Sequence, residues 1–353
     1  MSSDTPATDG DSATDLGPLA ERVGHPGEPA QPQHPLIARW RNAAPADIDA
    51  IHAVVAAADR VDHPTWVTPR EDVADTFDLP HIDHGRDTIL AETADGVVVA
   101  VGSSMRHSST ETRIQVDLDG AVHPEWRRRG IGTAVIGWQY ARALQQLAES
   151  DTSLPAVIEV YAHEGDDGLV ALAEQLGLRT ERWFTTMERD MALPLPEITG
   201  TEGIRFVPYT ADRAEDARQA RNDAFRDHWG SLTSSPERWQ KFVEGPFLRP
   251  DLSTLALDGD RVVAFVLASV NEDDWESLGA TNSYIDLIGV VRDHRGRGLA
   301  PRAIARTLRA IADAGLERAV LDVDTASPTG ANTLYERLGF RATDRERALV
   351  RRF

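Results

Sequence analysis

A chain of 353 residues with 41% apolar side chains is long enough for two domains with ordinary cores. A formal charge of −20 argues against nucleic acid or an anionic membrane as the main partner, and the absence of cysteine excludes disulfides, thiolate metal sites and a cysteine nucleophile. No run approaches eighteen apolar residues and the N-terminus has no apolar signal core, so the expectation is a cytoplasmic monomer or homodimer. Only Lys241 among the 37 basic residues is a lysine, a bias that GC-rich coding produces, so the acidic balance does not by itself point to a cationic ligand.

Residues 1–34 are Ser, Thr, Asp, Gly and Pro without periodicity, and Asp4, Asp9, Asp11, Asp15, Glu21 and Glu28 face the single base Arg22. Such a segment cannot offset its ordering entropy by apolar burial, so it is expected to be a disordered acidic tail. From residue 35 the chain says everything twice. "IARWRNAAPADIDAI" matches "IRFVPYTADRAEDAR", a short strand, a turn and a helix. "TILAETADGVVVAVGSS" matches "STLALDGDRVVAFVLAS", two alternating strands around an Asp-Gly or Gly-Asp turn. "VHPEWRRRGIG" and "VVRDHRGRGLA" follow, each opening an amphipathic helix; "AVIEVYA" then matches "AVLDVDT", and "LVALAEQLGLRT" matches "NTLYERLGFRAT". This order defines a duplication: a unit over 35–190, a Pro/Gly-marked linker over 191–203 and a second unit over 204–353. Each unit reads strand, helices, three strands, helix, strand, helix, strand, which predicts an α/β fold with helices on the faces of a mixed sheet.

The chemistry gathers at the two Arg/Gly loops. A helix start offers unpaired N–H groups and the positive end of the helix dipole, so it attracts phosphate. Gly296 and Gly298 let the backbone approach an anion, and Arg295 and Arg297 add charge; the Gly-Lys-Ser/Thr ending of a P-loop is missing. "RGRGLA" (Arg295 to Ala300) and "RRRGIG" (Arg127 to Gly132) resemble the Q/R-x-x-G-x-G/A acetyl-CoA loop of the GNAT N-acetyltransferases. The resemblance spans about residues 36–350 as two fused GNAT units, each a mixed, mostly antiparallel sheet, and such tandem units are similar to the mycothiol synthase group of actinobacteria. "RNDAFRDHWG" (Arg221 to Gly230) is similar to an acceptor-side helix of such tandem proteins.

The resemblance implies acetyl-CoA as cosubstrate and no metal. Gly296, Arg297, Gly298, Leu299 and Ala300 would cradle the pyrophosphate, and the backbones of Val290 and Val291 would pair with the pantetheine arm, Val290 N–H also polarising the thioester carbonyl. Val122, His123, Arg127, Arg128, Arg129, Gly130, Ile131 and Gly132 are the matching residues of the first loop. Tyr335, in "NTLYERLGF", would donate a proton to the leaving sulfur, and Asn332, one turn earlier on the same helix face, would contact the cosubstrate.

An alkylammonium acceptor with a pKa near 10.4 is deprotonated about once in 2,500 molecules at pH 7, a cost of about 4.6 kcal/mol, so a base is useful. Tyr284 and Asp286 alternate along "YIDLIGV" onto one face with Val290, and an acid on a strand of Ile, Leu and Val is paired or working. Mycothiol synthases carry Glu at the position aligned with Tyr284, so this chain departs from their pattern and Asp286 becomes the expected base, with His228 as a third possibility. In the first unit, Val116 and Leu118 align with Tyr284 and Asp286, Val170 with Asn332 and Ala173 with Tyr335, which predicts one working site, in the second unit.

The function expected is acetyl transfer to a primary amine of a small molecule by direct attack. Mycothiol synthesis on a cysteinyl pseudodisaccharide, acetylation of a protein amine, and a non-catalytic acyl-CoA-binding or sensing role are the alternatives. "HIDH" (His81, His84) fixes no third metal ligand, "EGDDG" (Glu164 to Gly168) reads as a solvated turn, and Trp229 and Trp239 are candidates for the acceptor mouth or for core.

Overall fold

The computed structural model describes residues 16–62, 67–197, 200–326 and 330–353. The first repeat contains β1 (Arg39–Asn42), β2 (Thr88–Glu92), β3 (Val98–Arg106), β4 (Ile114–Val122), β5 (Ala156–His163) and β6 (Arg179–Asp190). The second contains β7 (Ile204–Pro208), β8 (Thr254–Asp258), β9 (Arg261–Ser269), β10 (Asn282–Val290), β11 (Arg318–Asp324) and β12 (Arg341–Arg352). The helices are α1 (Leu19–Arg22), α2 (Ile48–Asp62), α3 (Arg70–Phe77), α4 (His84–Asp87), α5 (Ile131–Ala148), α6 (Asp167–Gln175), α7 (Ala214–Ala224), α8 (Pro236–Glu244), α9 (Asp274–Leu278), α10 (Leu299–Asp313) and α11 (Ala331–Arg337). The order of elements in each repeat is the one read from the sequence, except that α1 precedes β1 and α9 interrupts the strand triplet of the second repeat between β9 and β10.

All twelve strands form one sheet, in the order β1-β2-β3-β4-β5-β12-β6-β11-β10-β9-β8-β7. The order is symmetric about its centre because the repeats exchange their last strands: β6 lies on β11 of the second repeat, and β12 lies on β5 of the first. The 191–203 connection therefore divides the repeats but not the sheet, and neither half holds a complete sheet without the other. Pairing is antiparallel except at β4·β5 and β10·β11. Helices α5 and α10 press apolar stripes against one face, where Ile136, Ala143 and Leu147 meet Ile114, Val116 and Ile158, and Ile304 and Leu308 meet Ile285 and Val266. The opposite face carries α2 over Leu90 and Val101 and α7 over Val263, Phe265 and Leu267.

The disorder expected through residue 34 does not extend that far. Residues 1–15 lie outside the described residues, but Leu19 is wholly buried in the core of the first repeat beside Leu147 and Ala143. Its N–H donates to Thr152 O at 2.8 Å, and Arg22 reaches Leu154 O. Burying one leucine is worth about 1.5–3 kcal/mol, enough to hold a short segment whose composition otherwise disfavours order.

Cross-repeat hydrogen bonds also join the faces bearing α2 and α7. Lys241 of α8 bridges Asp75 and Asp78 at 2.9 and 2.8 Å, Val67 N–H donates to Asp274 at 2.8 Å, and Arg113 donates to Gly230 O at 2.9 Å.

Candidate active site

The second Arg/Gly loop begins where β10 ends. Arg292–His294 makes a single 3-10 turn, and Gly298 opens α10 with φ of 70°, a left-handed backbone that glycine adopts without strain. The first turn of α10 has no side-chain cap and no acidic residue, and neither does that of α5 at the matching Gly130. By contrast Asp166 caps α6 and Ser235 caps α8. Both Arg/Gly loops thus leave helix-start N–H groups free for an anion.

The arginines of these loops are largely engaged elsewhere. Arg295 donates to Ala224 O at 2.7 Å and pairs with Asp227 at 3.1 Å, fixing the loop to the segment after α7; Arg292 N–H donates to Asp223 at 2.9 Å. Arg297, near Asp258 at 3.9 Å, is the more open of the two. In the first loop Arg127 holds both oxygens of Asp62 and donates to Val122 O at 3.0 Å. Asp223, Asp227 and Asp62 are the loop-fixing residues that sequence reasoning missed; Asp223 and Asp62 lie in the last turns of α7 and α2, and Asp227 just beyond α7.

Beside the loop the sheet splits. The parallel β10·β11 ladder ends at Tyr284 opposite Val320, while β10 continues to Val290 and β11 to Asp324. Val291 is not available to a ligand in this gap, contrary to the expectation: its N–H donates to Val263 O at 3.0 Å and its carbonyl accepts from His294 N–H at 3.0 Å. The same correction applies to His123, which donates to Val99 O and accepts from Trp126 N–H. Strand alternation turns the Val290 N–H the other way, toward the gap.

A second correction concerns faces. β10 carries a bulge between Ile285 and Leu287, so Asp286 is the extra residue facing no partner on β9. Alternation therefore does not run unbroken from Tyr284 to Val290, and the side chains before the bulge change face relative to the regular β4. By cross-strand pairing, the residue of the first repeat that matches Tyr284 is Gln115, opposite Val157, and not Val116, which faces the α5 core.

At the bulge, Asp286 Oδ1 accepts from Ser269 Oγ at 3.1 Å, while its Oδ2 is sealed from solvent and has no hydrogen-bond partner. Burial pushes this carboxyl up to about 7 despite the Ser269 bond, and the charge of Asp72 on α3 adds to the rise. Tyr284 donates from its hydroxyl to Asp322 at 2.7 Å, and burial together with Asp322 holds its pKa well above the ordinary value. Glu346 of β12 is raised to about 7, first by burial and then by Asp322, Asp344 and Asp119. The floor beside the split is thus acidic and includes residues from both repeats.

Tyr335 lies on α11, on the other face, 7% exposed and edge-on to Phe340 at 6.0 Å. Burial pushes its hydroxyl up to about 12, which keeps it protonated at neutral pH. Asn332 donates from its amide to Thr325 O at 3.2 Å. Trp239 is core, its indole N–H on Ala214 O at 2.7 Å; Trp229 packs near Phe184, and His228 against Phe225. His84 bonds Thr88 and stacks on Phe77, and among the described residues no group of three or more His, Asp or Glu side chains is arranged for a metal. No helix among them is long and apolar enough to cross a membrane.

A split between parallel strands, an uncapped helix start at its mouth and the repetition of both define two fused acyl-CoA N-acyltransferase units. The sequence model of the acetyltransferase (GNAT) family matches residues 214–340. A mycothiol acetyltransferase of Parafrankia sp. (strain EAN1pec) is 30% identical over 326 residues, covering 84% of this chain and 92% of its own. One from Salinispora arenicola (strain CNS-205) is 30% identical over 283 residues, covering 76% and 85%. A GCN5-related N-acetyltransferase from Sphaerobacter thermophilus superposes with a TM-score of 0.66 at 24% identity, over 89% of this chain and 95% of that one. A tandem GNAT protein from the clavulanic acid biosynthesis pathway gives 0.63 at 15% identity, over 89% and 98%. The chain belongs to the GNAT acetyltransferase family, as a tandem member resembling the mycothiol acetyltransferases along most of its length, and it is an N-acetyltransferase. Acetyl-CoA is the cosubstrate of this family.

Proposed function

We propose that the second repeat transfers acetyl from acetyl-CoA to a primary amine of a small molecule by direct attack. The observation that carries this reading is Asp286: a carboxylate at the bulge beside the split, its Oδ2 sealed and unpartnered and its pKa near 7. A base poised near the working pH suits an amine that arrives as ammonium. The free N–H groups at the start of α10 fit a pyrophosphate, and the Val290 N–H fits a thioester oxygen. Asp286 takes one proton from the ammonium, directly or through a water. The freed nitrogen attacks the acetyl carbonyl and the carbon–sulfur bond breaks; Tyr335 gives its proton to the departing sulfur, and the second proton shed by the nitrogen restores the Tyr335 hydroxyl through water.

The first repeat walls the acceptor side, as the Asp72 charge on Asp286 and the Lys241 bridge to α3 indicate. A second reading is the reaction named for the mycothiol acetyltransferase relatives, which the chain resembles along most of its length.

Release of CoA from acetyl-CoA tests both readings: free thiol reports it for simple amines, with no background from a cysteine-free protein, and loss of the thioester reports it for the cysteinyl acceptor, which brings a thiol of its own. Amine-dependent release with small primary amines, falling about 10- to 100-fold in kcat in Tyr335→Phe with acetyl-CoA affinity retained, is the expected result. Release with the cysteinyl pseudodisaccharide alone would select the second reading. Acetyl-CoA binding without release under any amine would leave only a binding or sensing role.

A further inference from the structure

We propose that Tyr284 and Asp322 act together as the receptor for the acceptor's ammonium group, with Asp322 a positioning residue that works through the tyrosine. This inference rests on the site assignment above and concerns how the acceptor is held, not which group takes its proton.

The hydroxyl of Tyr284 donates to Asp322 Oδ2 at 2.7 Å, which commits its only hydrogen and leaves its oxygen lone pairs for a donor. The pair sits where the β10·β11 ladder ends, at the base of the split, and an amine attacking a thioester held in that split must pass beside it. The charges acting on Tyr284, Asp286 and Glu346 are all carboxylates, namely Asp72, Asp119, Asp286, Asp322, Asp344 and Glu346. Such an arrangement is unfavourable when empty and is relieved by a cation that donates hydrogen bonds.

A purely structural role is the competing account, because the first repeat contains the same pair in another form. Gln115 donates to Glu159 at 3.1 Å at the corresponding place. The two carboxylates differ in access: Glu159 is wholly buried, whereas Asp322 is open to solvent. A strand clamp has no need of an open carboxylate; an ammonium receptor does.

Two measurements on the full chain separate these accounts. With the best amine from the thiol-release assay, Asp322→Asn is expected to raise the acceptor KM about 10- to 100-fold, with kcat and acetyl-CoA affinity within about threefold of the wild type. Tyr284→Phe should move KM the same way, the double variant should cost no more than the larger single effect, and Asp322→Glu should restore most of the loss. Equal losses in acceptor and acetyl-CoA binding, or an unchanged acceptor KM, would overturn the proposal in favour of a clamp. Binding of n-butylammonium in the presence of CoA, read from NMR line broadening of its methylene signals, needs no turnover. Broadening by the wild type and by Glu159→Gln, lost in Asp322→Asn, supports the receptor; no broadening by the wild type, or broadening that survives Asp322→Asn, rejects it. Failure of acetyl-CoA binding in calorimetry would instead overturn the acetyl-transfer reading itself.

Discussion

The two repeats differ less in what they contain than in where their strands place it. Both present an uncapped helix start after an Arg/Gly loop, a split between parallel strands, and a carboxylate on the strand nearer the sheet centre, β5 or β11, held by a side chain on its outer neighbour, β4 or β10. In the first repeat β3 and β4 pair without interruption from Val122 back to Val116. In the second, one extra residue at Asp286 bends β10 and leaves one carboxylate oxygen without a partner at the edge of the split. The first repeat is not short of acids on that face, since Asp117 and Glu159 are both there. They are bonded inward, Gln115 donating to Asp117 at 2.8 Å and to Glu159 at 3.1 Å, whereas Asp286 of the second repeat accepts from Ser269 through one oxygen and leaves the other unpartnered. A single-residue bulge separates the repeat assigned catalysis from the one that supports it.

The largest expected effect comes from neutralising the equivalent acids one repeat at a time. Asp286→Asn should lower kcat at least about 100-fold at pH 8 with the acetyl-CoA affinity retained, while Asp117→Asn stays within about twofold. Because Asp286 acts unprotonated and titrates at about 7, the wild-type rate should climb as pH rises toward 7 and level off above it. The variant should lose that climb. Equal losses from the two substitutions in a steady-state assay would mean that the repeats share one proton path, and the contrast drawn from the bulge would fall.

Much of this contrast was legible in the sequence, because a duplication lets each half act as a template for the other. The order of elements, the loops and the absence of a Tyr335 counterpart at Ala173 followed from aligning the repeats. The strand exchange did not, since β6 and β12 pair through backbone hydrogen bonds, which leave no mark in the side-chain pattern of which neighbour is taken. The bulge was equally hidden: Val116 and Leu118 aligned with Tyr284 and Asp286 residue for residue, and only the pairing with β9 and β11 shows that the face has changed. Val291 looked as available as Val290 because sequence carries no sign of which N–H turns toward β9. The ordering of Leu19 escaped a composition argument because one buried leucine does not alter an average.

A smaller effect separates the repeats by stability. Burial pushes Glu159 up to about 7, with Asp117 adding to the rise and Arg113 easing it. Its folded pKa lies above the unfolded value of about 4.3, so the stability linked to its bound proton is complete below pH 4 and is lost as pH rises through 7. Glu159→Gln should therefore match the wild type near pH 4 and exceed it by roughly 1–3 kcal/mol at pH 8 in urea unfolding, with thiol release unaltered. A variant that gains equally at both pH values would show that packing, not the buried charge, sets the difference.

The smallest effect concerns the loop of the first repeat. His34, on the segment leading into β1, meets Arg129 O at 2.7 Å, and its ring lies close enough to touch a side chain built at Gly130. Arg127 meanwhile occupies the carbonyl of Val122, whose counterpart Val290 borders the open gap of the second repeat. One loop is therefore covered by its own chain and by its own arginine, and calorimetry on the intact protein should find one equivalent of acetyl-CoA bound. His34→Ala should leave thiol release unchanged and uncover a second, weaker binding event, since the N–H groups at the start of α5 are then reachable by an anion. Two equivalents in the wild type would show that the first loop binds despite His34 and Arg127, and the repeats would then differ in catalysis alone. One equivalent in both proteins would place the block at Arg127, whose hold on Val122 the histidine substitution does not disturb.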